Sequence, residues 1–212
     1  MLVLAIVFQP ALSKADSKLG FENKVKAYYT IEQDYSQELL NYNENKPLAI
    51  ASLTKIMTYV LVMEDINANK YKLDDKIKIQ TQYAKPEAST MQLKKGEELT
   101  VNDLIRGMMI VSGNDAADEL AVKSEGSVGK FVERMNKKAA ELELESAKFY
   151  SASGYPENDK ENLMSAKDLA KLTTYTINNY PQVLNYTKTQ KLVMPSRKYE
   201  AATTVPFLGK IE

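Results

Sequence analysis

The 212-residue sequence contains no cysteine and no histidine. Structural zinc sites, iron–sulfur clusters and haem depend on these side chains as ligands, so all three are excluded. Cysteine nucleophiles and Ser-His-Asp triads are excluded for the same reason. Net charge is absent as well, because 28 lysine and arginine residues balance 28 aspartate and glutamate residues. No net positive field attracts a polyanion, and we therefore expect no nucleic-acid partner.

The apolar run at the start of the chain is too short to span a bilayer. Met1 to Phe8 is apolar throughout, and Ala11 to Ala15 then offers small residues at the −3 and −1 positions of a cleavage site. These features are typical of a secretory signal peptide, and the alternative is that the run forms a buried first strand or helix. We predict a partial signal peptide over residues 1–15 that lacks its basic start, followed by one folded domain over residues 16–212. Export also fits a chain without disulfides.

The rest of the chain has the composition of a globular protein, with 44% hydrophobic and 26% charged residues. Two β-prone runs, Ala27–Ile31 and Glu38–Tyr42, flank the polar residues Asp34–Gln37 and predict a hairpin. Lys76–Ile79 and Lys191–Met194 are further strand candidates, and the chain after Met194 is expected to be irregular. Predicted helices accompany these strands, and the fold class that we expect is α+β.

The helix that follows Ser52 is predicted to be central and mostly buried. Its apolar residues recur at the helical spacing, which predicts one buried face: Ile56, Met57, Val60, Leu61 and Met63. Apolar spacing and capping residues predict five more helices, at Leu104–Val111, Asp115–Lys123, Val128–Leu144, Ser165–Asn179 and Gln182–Tyr186.

Ser52 and Lys55 stand three residues apart at the start of that central helix. Residues at this spacing lie on one helical face, so a hydroxyl and an amine there can meet. Serine is a poor nucleophile unless a neighbour takes its proton. In a chain without histidine, a lysine whose pKa is lowered can serve as that base. The alternative without catalytic function is a serine that caps the helix N-terminus, followed by a solvated lysine.

A second candidate element is the tripeptide Ser112-Gly113-Asn114. Thr100, with Asp103 three residues later, resembles a capping box that opens the helix before this tripeptide. Glycine permits a sharp change of direction, so the serine hydroxyl and asparagine amide would project from a tight turn between two helices. The alternative is an ordinary helix C-cap, where glycine and asparagine are common.

Together these motifs resemble the serine D-alanyl-D-alanine carboxypeptidases, the penicillin-binding proteins of the peptidase S11 family. The resemblance rests on the order and separation of three stretches: Pro47 to Thr58, Gly96 to Val101, and Asp103 to Ala117. It extends from about Lys26 to the end of the chain, including the Ser153-Gly154 loop. It implies a β-lactamase/transpeptidase-like fold, with a helical subdomain and an antiparallel sheet that is incomplete in this chain.

The resemblance also implies roles for four residues. Ser52 would be the nucleophile that forms an acyl-enzyme, Lys55 its base, and Ser112 the relay of a proton to the departing D-alanine. Asn114 would hold the substrate backbone or support Lys55. The implied substrates are peptidoglycan stem peptides ending in D-Ala-D-Ala, with β-lactams as covalent inhibitors. No cofactor or metal is implied, and the site of action would be the extracytoplasmic cell envelope.

One element of the family pattern is missing. No K-T-G or K-S-G follows Asn114, and Lys210, which precedes Ile-Glu, is a poor substitute. We therefore expect a fragment with weak or no turnover, an unpaired edge on the first hairpin, and a possible C-terminal membrane anchor outside the sequence.

Two alternatives stay open. A class A-like β-lactamase would need a deacylating glutamate in an E-x-x-N arrangement, whereas Glu157 is followed by Lys160 and Glu161 by Met164. A non-catalytic module that binds penicillin or peptidoglycan is the other, and the missing K-T-G favours it.

Overall fold

The computed structural model describes residue 20 and residues 24–32, 37–80 and 88–208. The predicted signal segment, most of the predicted turn at Asp34–Gln37, and Lys210 lie outside the described residues. The helices are α1 (Lys55–Asn67), α2 (Val101–Ile110), α3 (Asn114–Glu125), α4 (Val128–Glu141), α5 (Ala166–Asn179) and α6 (Val183–Thr187). The strands are β1 (Tyr28–Glu32), β2 (Gln37–Tyr42), β3 (Leu48–Ala49), β4 (Lys76–Lys78), β5 (Glu98–Thr100), β6 (Leu163–Met164), β7 (Lys191–Met194) and β8 (Tyr199–Ala202).

Helix α1 is the centre of the molecule, as predicted. It contacts α2, α3, α4 and α5, so it is surrounded on most sides. Consequently the buried face is wider than the apolar spacing indicated: Tyr59 and Val62 are fully buried along with Met57, Val60 and Leu61. The central position of α1 holds Lys55, its first residue, and the short turn before it that carries Ser52 against the rest of the helical core.

The caps of the helices follow the predicted chemistry. The Thr100 hydroxyl accepts from the Asp103 N–H at 3.0 Å, and the Asp103 carboxylate accepts from the Thr100 N–H at 3.3 Å, which completes the capping box of α2. The Ser165 hydroxyl accepts from the Asp168 N–H at the start of α5. These bonds satisfy N–H groups that a helix leaves without partners, and they fix where α2 and α5 begin.

The strands form four antiparallel pairs within the described residues: β1–β2, β3–β6, β4–β5 and β7–β8. The predicted hairpin is confirmed, with Tyr28 opposite Tyr42 and a register shift after Thr30. The expectation of an irregular chain after Met194 is wrong. Residues Tyr199–Ala202 form β8, which pairs with β7 across a short 3-10 turn. The α+β class is confirmed.

Strands β1 and β2 form a two-stranded unit within the residues that the structure covers. It lies against α5, and a cavity of about 350 Å³ between the hairpin and that helix is lined by Tyr29, Ile31, Leu169 and Ile177. In the same described part of the chain, no helix has both the length and the hydrophobicity needed to cross a membrane.

Candidate active site

Ser52 lies on a 3-10 turn, Ala51–Thr54, that runs directly into α1. A 3-10 turn brings residues i and i+3 onto one line, which places the Ser52 hydroxyl over the Lys55 amine. The Lys55 Nζ to Ser52 Oγ distance is 3.1 Å. Ser52 is exposed while Lys55 is only 3% exposed, so the hydroxyl is open to a substrate and the amine beneath it is not.

Lys55 has two further partners besides Ser52. Its Nζ donates to Asn114 Oδ1 at 2.6 Å and to the Ser153 carbonyl at 2.7 Å. Burial lowers the pKa of the Lys55 amine from 10.5 to about 8, although the carboxylates of Asp118 and Asp115 act to raise it. The neutral amine is therefore present in about one molecule in five at pH 7.4, against about one in a thousand for a solvated lysine.

The predicted turn between two helices is present at Ser112-Gly113-Asn114. The residue with positive φ is Ser112, at +58°, and not Gly113, at −59°, so the expectation that the glycine makes the change of direction is wrong; Asn114 is the first residue of α3. The Ser112 hydroxyl donates to Ser52 Oγ at 2.9 Å. All four predicted residues are thus in direct contact: Ser52 with Lys55 and Ser112, and Lys55 also with Asn114.

The sequence did not indicate that the Ser153 carbonyl belongs to this site. Ser153 was placed in a loop, and the loop is confirmed, but a main-chain carbonyl leaves no signature in the choice of side chain. The available signal was Gly154, which has a φ of +82°. A Cβ on Gly154 would lie 1.8 Å from the Ala51 carbonyl oxygen, so glycine is required for the loop to approach the Ser52 turn this closely.

Asp115 is a second residue that the sequence did not single out. Its buried carboxylate accepts from the N–H groups of Met91 at 2.9 Å and Leu93 at 3.0 Å. Asn114 N–H donates to the Ser89 carbonyl at 2.8 Å. These bonds fasten the segment before β5 to the start of α3 and so restrict movement of the Ser112–Asn114 turn.

No metal site accompanies this geometry in the described residues, where histidine, cysteine, aspartate and glutamate nowhere gather in a group of three suited to a cation. The chemistry that the described side chains offer is nucleophilic attack by Ser52 with proton transfer through Lys55 and Ser112.

The sequence profile of the peptidase S11 family, D-alanyl-D-alanine carboxypeptidase, matches residues 13–206. The chain belongs to this family. The S11 chain is 36% identical over 190 residues to D-alanyl-D-alanine carboxypeptidase DacF of Bacillus subtilis (strain 168), a match that covers 88% of this chain and 48% of DacF. The S11 chain spans about half or less of the length of the curated relatives it matches first.

Solved structures agree on the fold of the S11 chain. Penicillin-binding protein D2 from Listeria monocytogenes, in its cefotaxime-bound form, aligns with a TM-score of 0.78 at 29% identity, over 88% of this chain and 74% of that one. PBP3 from Streptococcus pneumoniae, described as a peptidoglycan synthesis regulatory factor, aligns with a TM-score of 0.81 at 28% identity, over 88% and 56%. The predicted β-lactamase/transpeptidase-like fold is therefore confirmed.

Proposed function

We propose that this chain carries the nucleophilic centre of a serine D-alanyl-D-alanine carboxypeptidase, which removes the terminal D-alanine from peptidoglycan stem peptides through an acyl-enzyme on Ser52. The observation that carries the proposal is the contact set of the Lys55 amine. It lies within hydrogen-bond distance of Ser52 Oγ, Asn114 Oδ1 and the Ser153 carbonyl. Membership of the S11 family supports the same reaction.

The contacts of Lys55 suit a general base. A neutral amine has two N–H groups and one lone pair. Two of its neighbours, Asn114 Oδ1 and the Ser153 carbonyl, are acceptors that take both hydrogens. The lone pair is then left for the Ser52 hydroxyl, and Lys55 can accept that proton as Ser52 attacks. When protonated, Lys55 can donate to all three oxygens, so the site accommodates both states.

The remaining steps follow from the position of Ser112. Attack of Ser52 Oγ on the carbonyl of the penultimate residue gives a tetrahedral oxyanion, and its collapse breaks the C–N bond to the terminal D-alanine. The leaving amine needs a proton, which the Ser112 hydroxyl beside Ser52 Oγ can give, and the proton that Lys55 took from Ser52 then replaces it. The Ser52 N–H, at the start of the turn into α1, would be one oxyanion donor. Water then hydrolyses the acyl ester and releases the shortened peptide.

The proposed partners are stem peptides that end in D-Ala-D-Ala, and β-lactams that acylate the same serine. Relatives named D-alanyl-D-alanine carboxypeptidases and the cefotaxime- and ampicillin-bound forms of the Listeria protein support both. Such substrates lie outside the cytoplasmic membrane, so we propose an extracytoplasmic location, reached through the proposed signal segment at residues 1–15.

Acylation of Ser52 is the direct test. Incubation with a penicillin should add the mass of one intact antibiotic, because opening of the β-lactam ring expels no group. Ser52→Ala should abolish the adduct, whereas Ser127→Ala, which removes only a hydroxyl at the N-cap of α4, should retain it. An adduct that survives Ser52→Ala would refute the assignment of the nucleophile.

A non-catalytic module that binds peptidoglycan is the alternative that the same experiment distinguishes. It predicts reversible muropeptide binding without an adduct, whereas the carboxypeptidase predicts the adduct even if its turnover is slow. Rapid hydrolysis of a chromogenic cephalosporin would instead indicate a β-lactamase.

A further inference from the structure

Asn162 is one of the most completely buried polar residues of the chain, with 1% of its surface exposed. Its side-chain oxygen accepts from the N–H groups of Tyr150 at 2.6 Å and Ser151 at 3.1 Å. Its side-chain nitrogen donates to Thr54 Oγ1 and to the Ser151 carbonyl, both at 2.9 Å. All four hydrogen-bonding positions of the amide are therefore used.

Two of the Asn162 bonds reach the segment that carries the nucleophile. Thr54, the acceptor of one amide hydrogen, is fully buried in the 3-10 turn between Ser52 and Lys55. The Asn162 carbonyl also accepts from the N–H of Ile50, at 3.0 Å, just before the turn. Asn162 thus holds both the entry and the middle of the Ser52 turn.

The other Asn162 bonds reach the loop that supplies a partner to the base. Tyr150 and Ser151 lead directly into Ser153, whose carbonyl accepts from Lys55. Ala152 lies between Ser151 and Ser153, and its carbonyl accepts from the Thr58 hydroxyl of α1 at 2.6 Å. The Asn162 amide joins this loop to the turn at Thr54, and the Thr58–Ala152 bond joins it to α1, so both help to set the distance between the Ser153 carbonyl and the Lys55 amine.

We propose that Asn162 is a positioning residue of the Ser52 centre: by joining the loop at 150–153 to the turn at Ala51–Thr54, it sets the Ser153 carbonyl on Lys55 and orients the amine toward Ser52. The proposal rests on the function proposed above and adds a residue to it. Asn162 itself touches neither Ser52 nor Lys55 in the set of bonds described, and acts through the loop and the turn.

Loss of the amide has a defined consequence. Without it, the loop keeps its bond to Thr58 but loses its link to the Ser52 turn, so we expect the Ser153 carbonyl to shift from the Lys55 amine and water to enter. Because burial is what lowers the pKa of Lys55, hydration should raise that pKa toward its ordinary value. The carboxylates of Asp115 and Asp118 on α3 also raise it, and the substitution leaves them unchanged. Each unit of increase reduces the neutral amine about tenfold at neutral pH.

Asn136 offers a matched control. It is also an asparagine that holds the same loop, since its amide accepts from the Phe149 N–H at 3.0 Å and donates to the Phe149 carbonyl at 2.9 Å. Its other bond returns to α4, at the Val132 carbonyl, and not to the Ser52 turn. Asn136→Ala therefore removes loop bonds without removing the connection to Thr54.

The experiment compares Asn162→Ala with Asn136→Ala in the full 212-residue chain. The pKa of Lys55 is measured by NMR on protein with isotope-labelled lysine Cε. The Lys55 signal is the one that disappears in Lys55→Met. The rate of acylation by penicillin and the melting temperature are measured in parallel. We expect Asn162→Ala to raise the pKa of Lys55 by at least about one unit and to slow acylation about tenfold at neutral pH. Asn136→Ala should lower the melting temperature but change neither the pKa nor the acylation rate.

The proposal is overturned if both variants leave the pKa of Lys55 unchanged, which would make Asn162 purely structural, or if both raise it equally, which would implicate the loop as a whole. If Asn162→Ala fails to fold, Thr54→Val decides, because it removes only the acceptor on the turn and is expected to give the same rise. A wild-type chain that is never acylated would count against the proposed function, while the pKa comparison would still decide the role of Asn162.

Discussion

Replacing Lys55 with methionine should change how stability depends on pH. In the folded chain the pKa of Lys55 is about 8, whereas the unfolded chain exposes an ordinary lysine with a pKa near 10.5. Between these two values the unfolded state binds more protons than the folded state, so wild-type stability rises with pH across this window. The shift corresponds to about 3 kcal/mol, which is lost as pH falls back below 8.

Methionine removes this dependence and leaves Asn114 Oδ1 and the Ser153 carbonyl without their donor at every pH. That second effect is constant, so it cancels when the two proteins are compared across pH. Urea unfolding at about pH 7 and about pH 11 should show wild type gaining about 3 kcal/mol over Lys55→Met. Lys130→Met, which removes an exposed charge from α4, controls for the loss of one cation.

Parallel stability profiles for wild type and Lys55→Met would refute the reasoning, because they would mean that the amine titrates alike in the folded and unfolded states. The lysine would then be solvated, and it could not serve as a base at neutral pH.

Three further changes test separate parts of the structure. Acylation of Ser52 should rise with pH and level off above about pH 8, as the Lys55 amine becomes neutral; a flat rate from about pH 6 to about pH 9 would contradict this. Asp65→Ala should cost about 3 kcal/mol in urea unfolding, because the buried carboxylate pairs with Arg134 at 2.8 Å. Glu141→Ala breaks the ion pair of the exposed Glu141 with Lys138 and should cost much less stability. Equal losses of stability in the two variants would argue against a special contribution of the buried Asp65–Arg134 pair. Gly154→Ala should cost at least about 2 kcal/mol more than Gly126→Ala, since both have positive φ but only the former meets a backbone oxygen. Equal melting temperatures would contradict that contact.

Much of the secondary structure could be predicted because its causes are local. The Thr100 and Asp103 pair marks the start of α2, and the two β-prone runs that contain Tyr28 and Tyr42 mark the hairpin. Strands β5 and β8 could not be found in this way. They have three and four residues, and what makes them strands is a backbone partner elsewhere, β4 for one and β7 for the other.

The sequence by itself determined that Ser52 and Lys55 share one face, because spacing along a helical turn is a local property, and that a Ser-Gly-Asn turn follows α2. Only the tertiary structure decided that Lys55 has the lowered pKa that the proposed base requires. Its partners Asn114 and Ser153 lie 59 and 98 residues away, and the burial that lowers its pKa comes from packing around α1. A pKa depends on the dielectric and the neighbours of a group, which exist only once distant segments have come together.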